Sequence, residues 1–164
     1  MKCPTCRNDN PAGAQFCGGC GANLNSGEAS IVAELPMVDF GDAISRGFSN
    51  YFTFSERATR AENWWWALFT IIGVVALSIV ENIAGIPAVL SGIFRLATLI
   101  PSFAVGARRL HDINRSGWWQ LLWFAILIGW IILIVWAIKH GDKGPNKYGP
   151  DPRQATSQQP YKPY

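Results

Sequence analysis

The sequence predicts a mostly α-helical, polytopic membrane protein: about three transmembrane helices, an interfacial amphipathic helix and a small N-terminal four-cysteine zinc ribbon. Three observations carry this. Four cysteines stand as two Cys-x-x-Cys pairs within the first 20 residues. Between Trp64 and Ala107 only Glu81 and Arg95 are charged, and Trp118 to Ile138 has no charged residue. The polar stretch RRLHDINRSGWW, Arg108 to Trp119, separates the two apolar blocks. A helix apolar all round belongs in lipid or deep inside a large protein, and a chain of 164 residues has no such interior.

The chain divides into a ribbon (1–24), a flexible linker (25–39), a helical transmembrane domain (40–152) and a disordered tail (153–164) rich in Pro, Gln and Ser. In the ribbon, CPTC and CGGC present Cys3, Cys6, Cys17 and Cys20 with ten residues between the pairs. Two tight turns that each offer a thiolate pair suit tetrahedral zinc, and so short a module folds on metal rather than on an apolar core. Four cysteines close the site, so the zinc is structural. Disulfides need an oxidising compartment, and a redox Cys-x-x-Cys needs a βαβ unit that is absent. The segment resembles the short zinc ribbons that open many bacterial proteins, CPxC…FCxxCG, here with Arg7 where Gly is common. No secretory signal precedes MKCPTC, so the first exported element is the first span.

Phe40, Ile44, Phe48 and Tyr51 recur at helical intervals, which predicts an amphipathic helix over 40–52, lying in the interface or packed on the bundle. Arg57, Arg60 and Glu62 then precede Trp64, Trp65 and Trp66, cations followed by an aromatic belt at headgroup level. Spans follow at 64–80, 86–107 and 118–138, with a turn at Gly85 and Pro87 and a kink at Pro101. An arginine inside a span costs several kcal/mol unless paired, so Arg95 is expected to pair with Glu81.

The loop after Glu81 has no cation, whereas Arg108, Arg109 and Arg115 mark the next one; positive-inside places the N-terminus and the Arg108 loop in the cytoplasm. Lys139, Lys143, Lys147 and Arg153 break that pattern, because three crossings put them outside. Gly129 offers a bend, but halves of about ten residues are too short to span separately.

Arg57, Arg60, Glu62, Arg108, Arg109, His111 and Asp112 form the candidate functional polar cluster. As chemistry, His111 is a general base and the arginines clamp an anion. As structure, the arginines anchor helices and Asp112 pairs with Arg57, Arg60 or Arg115. The structural reading is the stronger, since adjacent His111 and Asp112 point apart; no catalytic residue is assigned. Phosphate-loop, His-Glu-x-x-His and Gly-x-Ser-x-Gly motifs are missing, and GPNKYGPDP reads as linked turns.

RRLHD with SGWW, NWWW upstream and GPNKYGPDP downstream resemble the small bacterial inner-membrane family called domain of unknown function 805 (YhaH-like), over roughly Phe40 to Pro152. The family usually has Gly where this chain has Glu56. The resemblance implies a three-segment inner-membrane protein and no reaction. The expectation is a non-enzymatic scaffold or regulatory module, its cytoplasmic ribbon docking a protein partner. The alternative is a membrane-interface enzyme or transporter whose Arg108–Arg115 loop binds an anionic headgroup or small solute. The net charge of +3 sits in loops, and residues 1–25 carry only Lys2 and Arg7, which disfavours nucleic acid.

Overall fold

The computed structural model describes residues 1–3, 8–14, 17, 24 and 35–154. Two units have their main parts at Met1–Leu35 and Pro36–Arg153. In the first, Lys2 and Asp9 form an antiparallel bridge, and the Cys3 N–H donates to the Asn8 carbonyl at 3.0 Å. Cys3 and Cys17 are buried, with Leu24 packed against them. Cys6, Cys20, most of the expected linker and nearly all of the expected tail lie outside the described residues.

The second unit holds α1 (Phe40–Ser49), α2 (Arg60–Ala84), α3 (Val89–Asp112), a 3-10 helix (Gly117–Phe124) and α4 (Ile128–Ile138). Asp39 caps α1, its carboxylate accepting from the Asp42 N–H at 2.8 Å. The helix ends at Ser49, short of the expected Phe52, where the Asn50 side chain donates to the Arg46 carbonyl. Its apolar face packs on the bundle. Phe48 meets Trp66 edge-on at 5.2 Å, and a Cβ at Gly47 would lie 2.2 Å from the Trp66 ring.

Tyr51, just beyond α1, solves a problem set by Pro101. Proline has no N–H, so Pro101 leaves the carbonyl four residues earlier without its helical donor. That carbonyl is Ala97, and the Tyr51 hydroxyl donates to it at 2.7 Å. Pro101 accordingly sits inside a continuous α3. Tyr51→Phe is expected to cost about 1 kcal/mol, read as a lower unfolding midpoint in detergent; an unchanged midpoint would show that water or lipid leaves that carbonyl no worse off.

Thr59 caps α2 by accepting from the Glu62 N–H at 3.1 Å. With 25 and 24 residues, α2 and α3 extend about 37 and 36 Å, beyond the roughly 30 Å of a bilayer core. Both are long and apolar enough to cross a membrane.

Two expectations are corrected. Glu81 does not pair with Arg95. Its carboxylate instead accepts from the Ser91 N–H at 2.9 Å, and Arg95 lies exposed one turn further on. The reason is local: Glu81 ends α2 beside the start of α3, whose first N–H groups have no partner within the helix and whose N-cap, Ala88, has no capping side chain.

Nor is 118–138 one helix. A 3-10 helix is followed by a reversal at Leu127 (φ 63°, ψ −69°), and α4 runs back beside it. The Ile128 N–H donates to the Ile126 carbonyl at 2.8 Å, closing a γ-turn. Eight residues of 3-10 helix rise about 16 Å and eleven of α-helix about 16 Å, so each limb is roughly half as long as a bilayer core is thick. Gly129 permits the close return, since a Cβ there would lie 1.8 Å from the Leu122 carbonyl oxygen. Trp119 and Trp136, one near each end of the hairpin, meet at 5.7 Å.

Candidate functional site: a buried ionic belt

The start of α2, the end of α3 and the arm after α4 converge on Asp112, which is 1% exposed. Its Oδ1 accepts from Arg57 Nη2 at 2.8 Å and Nε at 3.1 Å, and its Oδ2 from Arg109 Nη1 at 2.8 Å. Arg153 Nη2 stands 3.9 Å from Oδ1. A charge this deep is tolerable only with full pairing.

Each arginine joins two chain segments. Arg57 donates to the carbonyls of Gly144 and Asp142, both at 2.6 Å, fastening the C-terminal arm to the foot of α2. Arg109 donates to the carbonyls of Trp136, Ala137 and Lys139. It thus supplies donors to the last turn of α4, where carbonyls lack helical partners and a cation opposes the helix dipole favourably. Gly141 makes the approach possible; a Cβ there would lie 1.8 Å from Asp112 Oδ2. Arg108 pairs with buried Glu62 at 2.8 Å.

His111 faces away from Asp112. Its Nδ1 meets the Glu56 carbonyl at 3.0 Å, which makes Nδ1 the protonated nitrogen. The ring stacks on Tyr148 at 3.8 Å and 4°. Asn146 donates to the His111 carbonyl at 2.9 Å, and its own side-chain oxygen accepts from the Tyr148 N–H at 2.9 Å. The expected linked turns are therefore the arm's docking surface. Asp151 accepts from the Gly144 N–H and from Arg153 Nε at 2.7 Å. Burial pushes the Asp151 carboxyl up, but these donors outweigh it and hold it below the ordinary carboxylate range.

Glu56 delivers its carbonyl with φ 72°, a left-handed conformation unfavourable to any residue with a Cβ. Glu56→Gly is expected to stabilise the protein by about 0.5–1 kcal/mol, the relief of strain less the extra chain entropy of glycine. The unfolding midpoint in detergent checks it, and no gain would mean that His111 pins this turn at little cost.

Of the expected cluster, Arg57, Glu62, Arg108, Arg109, His111 and Asp112 are brought together at this end of the bundle. Arg60 is exposed and makes no ion pair among the described residues. Neither Arg60 nor Arg115 pairs with Asp112; Arg115 lies over the Trp136 ring at 4.2 Å. Asn146, Tyr148 and Asp151 were expected beside the Arg108 loop only if the chain crossed the membrane an even number of times, and Arg153 was not expected there. Their one sequence signal was the cluster of cations after Ile138, which positive-inside assigns to the side of the Arg108 loop. Cys3 and Cys17 lie in the first unit, where Asn10 Nδ2 donates to Cys17 Sγ at 3.4 Å. Among the described residues no group of three or more His, Cys, Asp or Glu could hold a metal; Cys6 and Cys20 fall outside that set.

Known proteins share this architecture's sequence. The family described as Protein of unknown function (DUF805) matches residues 51–150, which include all of the belt except Asp151 and Arg153. Inner membrane protein YhaI of Escherichia coli (strain K12) is 42% identical over 105 residues, 63% of this chain and 89% of its own length. Inner membrane protein YhaH of the same strain is 39% identical over 109 residues, 63% of this chain and 90% of its own. No solved structure matches. With a match that runs from the end of α1 to the docked arm, this chain belongs to the DUF805 family of proteins of unknown function.

Proposed function

We propose that the chain is a non-enzymatic scaffold or regulatory module of the bacterial inner membrane, crossing twice through α2 and α3. Residues 117–138 re-enter the bilayer as a hairpin, and the ribbon, the belt and the C-terminal arm share the cytoplasmic face. The observation that carries this is the stitching of the arm to the feet of α2 and α3 through Arg57, Asp112 and Arg109. A third crossing from Trp118 would carry Lys139 about 30 Å away from those groups. Two crossings also remove the conflict with positive-inside, because Lys139, Lys143, Lys147 and Arg153 then join Arg57, Arg108 and Arg109 on one side. The relatives' names support the compartment.

A scaffold is the better reading because the polar groups are spent on one another. Asp112 is consumed by Arg57 and Arg109, Glu62 by Arg108, and His111 by Glu56 and Tyr148. The ribbon is the surface for a protein partner. Cys3 and Cys17, buried together with an amide donor on one sulfur, fit a zinc-thiolate knuckle, and Cys6 and Cys20 would complete the four ligands. The metal would supply folding energy there and no chemistry. One observation favours the enzyme or transporter reading: Arg108 Nε and Nη2 are buried without a hydrogen-bond partner among the described residues.

A reporter active only in the cytoplasm, fused to each terminus in turn, tests the topology. Signal from both ends is expected; signal from the N-terminus alone would restore three crossings. His111→Ala tests the role: unchanged membrane abundance and unchanged capture of a ribbon-bound partner, with no other phenotype, is expected. Loss of the cellular phenotype despite unchanged abundance and capture would move the function to the belt.

A further inference from the structure

Because the hairpin stops halfway, it leaves a groove against the transmembrane pair. The groove encloses about 410 Å³, within the range of small-molecule sites. Asn63, Trp64 and Ala67 form its wall on α2, and α4 forms the opposite wall from Ala137 down to Trp130. The eight residues of α4 from Trp130 to Ala137 make it about 10 Å deep. Asn63 and Arg109 stand at the top, beside the belt. Gln120 also lines the groove, its amide donating to the Phe103 and Gly117 carbonyls, and Trp123 and Trp130 line the bottom, where Trp130 spends its indole N–H on the Trp123 carbonyl at 2.9 Å.

From this geometry we infer that the groove holds one acyl chain of an anionic phospholipid, its phosphate seated against Arg60, Asn63 and Trp64. The inference rests on the re-entrant hairpin proposed above. Beside the groove's mouth, among the described residues, Arg60 is a cation free for a headgroup. It is exposed, makes no ion pair among the described residues, and lies four residues before Trp64 on the same helix face. Arg109 is near enough to feel its charge but is occupied by Asp112 and the α4 carbonyls. The belt beneath has four guanidinium groups, Arg57, Arg108, Arg109 and Arg153, against three carboxylates, Glu62, Asp112 and Asp151, and Arg60 adds to that excess. A basic mouth between helices at the cytoplasmic face attracts anionic headgroups. An apolar floor at membrane depth excludes a free polar solute.

The test is native mass spectrometry of the full chain in detergent supplemented with phosphatidylglycerol or with phosphatidylcholine of the same acyl composition. One retained lipid per chain is expected, with phosphatidylglycerol preferred about fivefold, the effect of one arginine near an anionic surface. Added inorganic phosphate should not displace it. Arg60→Ala should keep a lipid but lose the preference. Ala137→Phe and Ala67→Phe, which fill the groove from opposite walls, should each abolish retention while helicity by circular dichroism is unchanged. The inference is overturned if the wild-type chain retains neither lipid or both alike, if phosphate displaces the lipid, or if both folded phenylalanine variants retain lipid as wild type does. Terminal reporters judge the hairpin separately, so failure of the topology and failure of lipid capture are told apart.

Discussion

Asp112→Ala is expected to destabilise the membrane domain by about 3–5 kcal/mol, the usual consequence of removing one partner from a buried ion pair. The magnitude follows from what is left behind. Arg57 and Arg109 are buried, at 5% and 2% exposure, and both aim at this carboxylate from 2.8 Å. Without it, two guanidinium charges face each other in a site closed to water. The contacts that hold the arm and the end of α4 then lose their anchor, since the same arginines make both sets. Unfolding midpoints in detergent and chain abundance in membranes both report the loss. Removing an arginine as well, in Arg57→Ala with Asp112→Ala, should cost less than the two single losses summed, because the stranded charge is gone. Full stability in Asp112→Ala alone would mean that water reaches the belt and that the arm is held by its turns.

Removal of zinc is expected to unfold the ribbon while leaving α2 and α3 intact. Apparent binding energies of structural zinc are about 10–16 kcal/mol, and among the described residues the apolar packing of this unit is Leu24 against Cys3 and Cys17. One zinc per chain by elemental analysis is the expected content, falling to none in Cys3→Ser or Cys17→Ser. Asn10→Ala, which removes the amide donating to Cys17 Sγ, should weaken zinc affinity about 10–100-fold without abolishing it. Hydrogen exchange after chelation should rise across residues 1–24 and stay unchanged in the helices. Metal-free protein with the same protection would remove zinc from the account, and a disulfide found between cysteines would replace it.

The elements legible in the sequence are those set by local properties. Helices α2 and α3 follow from unbroken apolar length, and α1 follows from the spacing of Phe40, Ile44 and Phe48. Most of the belt was legible too, since charges between apolar blocks have only each other to pair with. The break in the third segment was not legible because length and apolarity do not distinguish one long helix from two half-length limbs. The deciding groups, Leu127 in its γ-turn and Gly129 against the Leu122 carbonyl, exert their effect through backbone geometry. The pairing of Glu81 with Arg95 failed similarly: opposite charge suggested a partner, but helix-end N–H groups lay closer.

By itself, then, the amino-acid order determined which segments are apolar, where cations gather and which cysteines stand in pairs. Those are one-dimensional quantities, fixed by transfer energies and by the spacing of neighbours along the chain. Only the tertiary structure decided that α4 turns back, that Arg109 caps it, and that an arm from Asp142 to Arg153 closes over Arg57 and Asp112. The contacts of Arg109 with α4 and of Arg57 with the arm join residues 27 to 92 positions apart. Their energy depends on distance in space and on exclusion of water, and neither can be read along a line of residues.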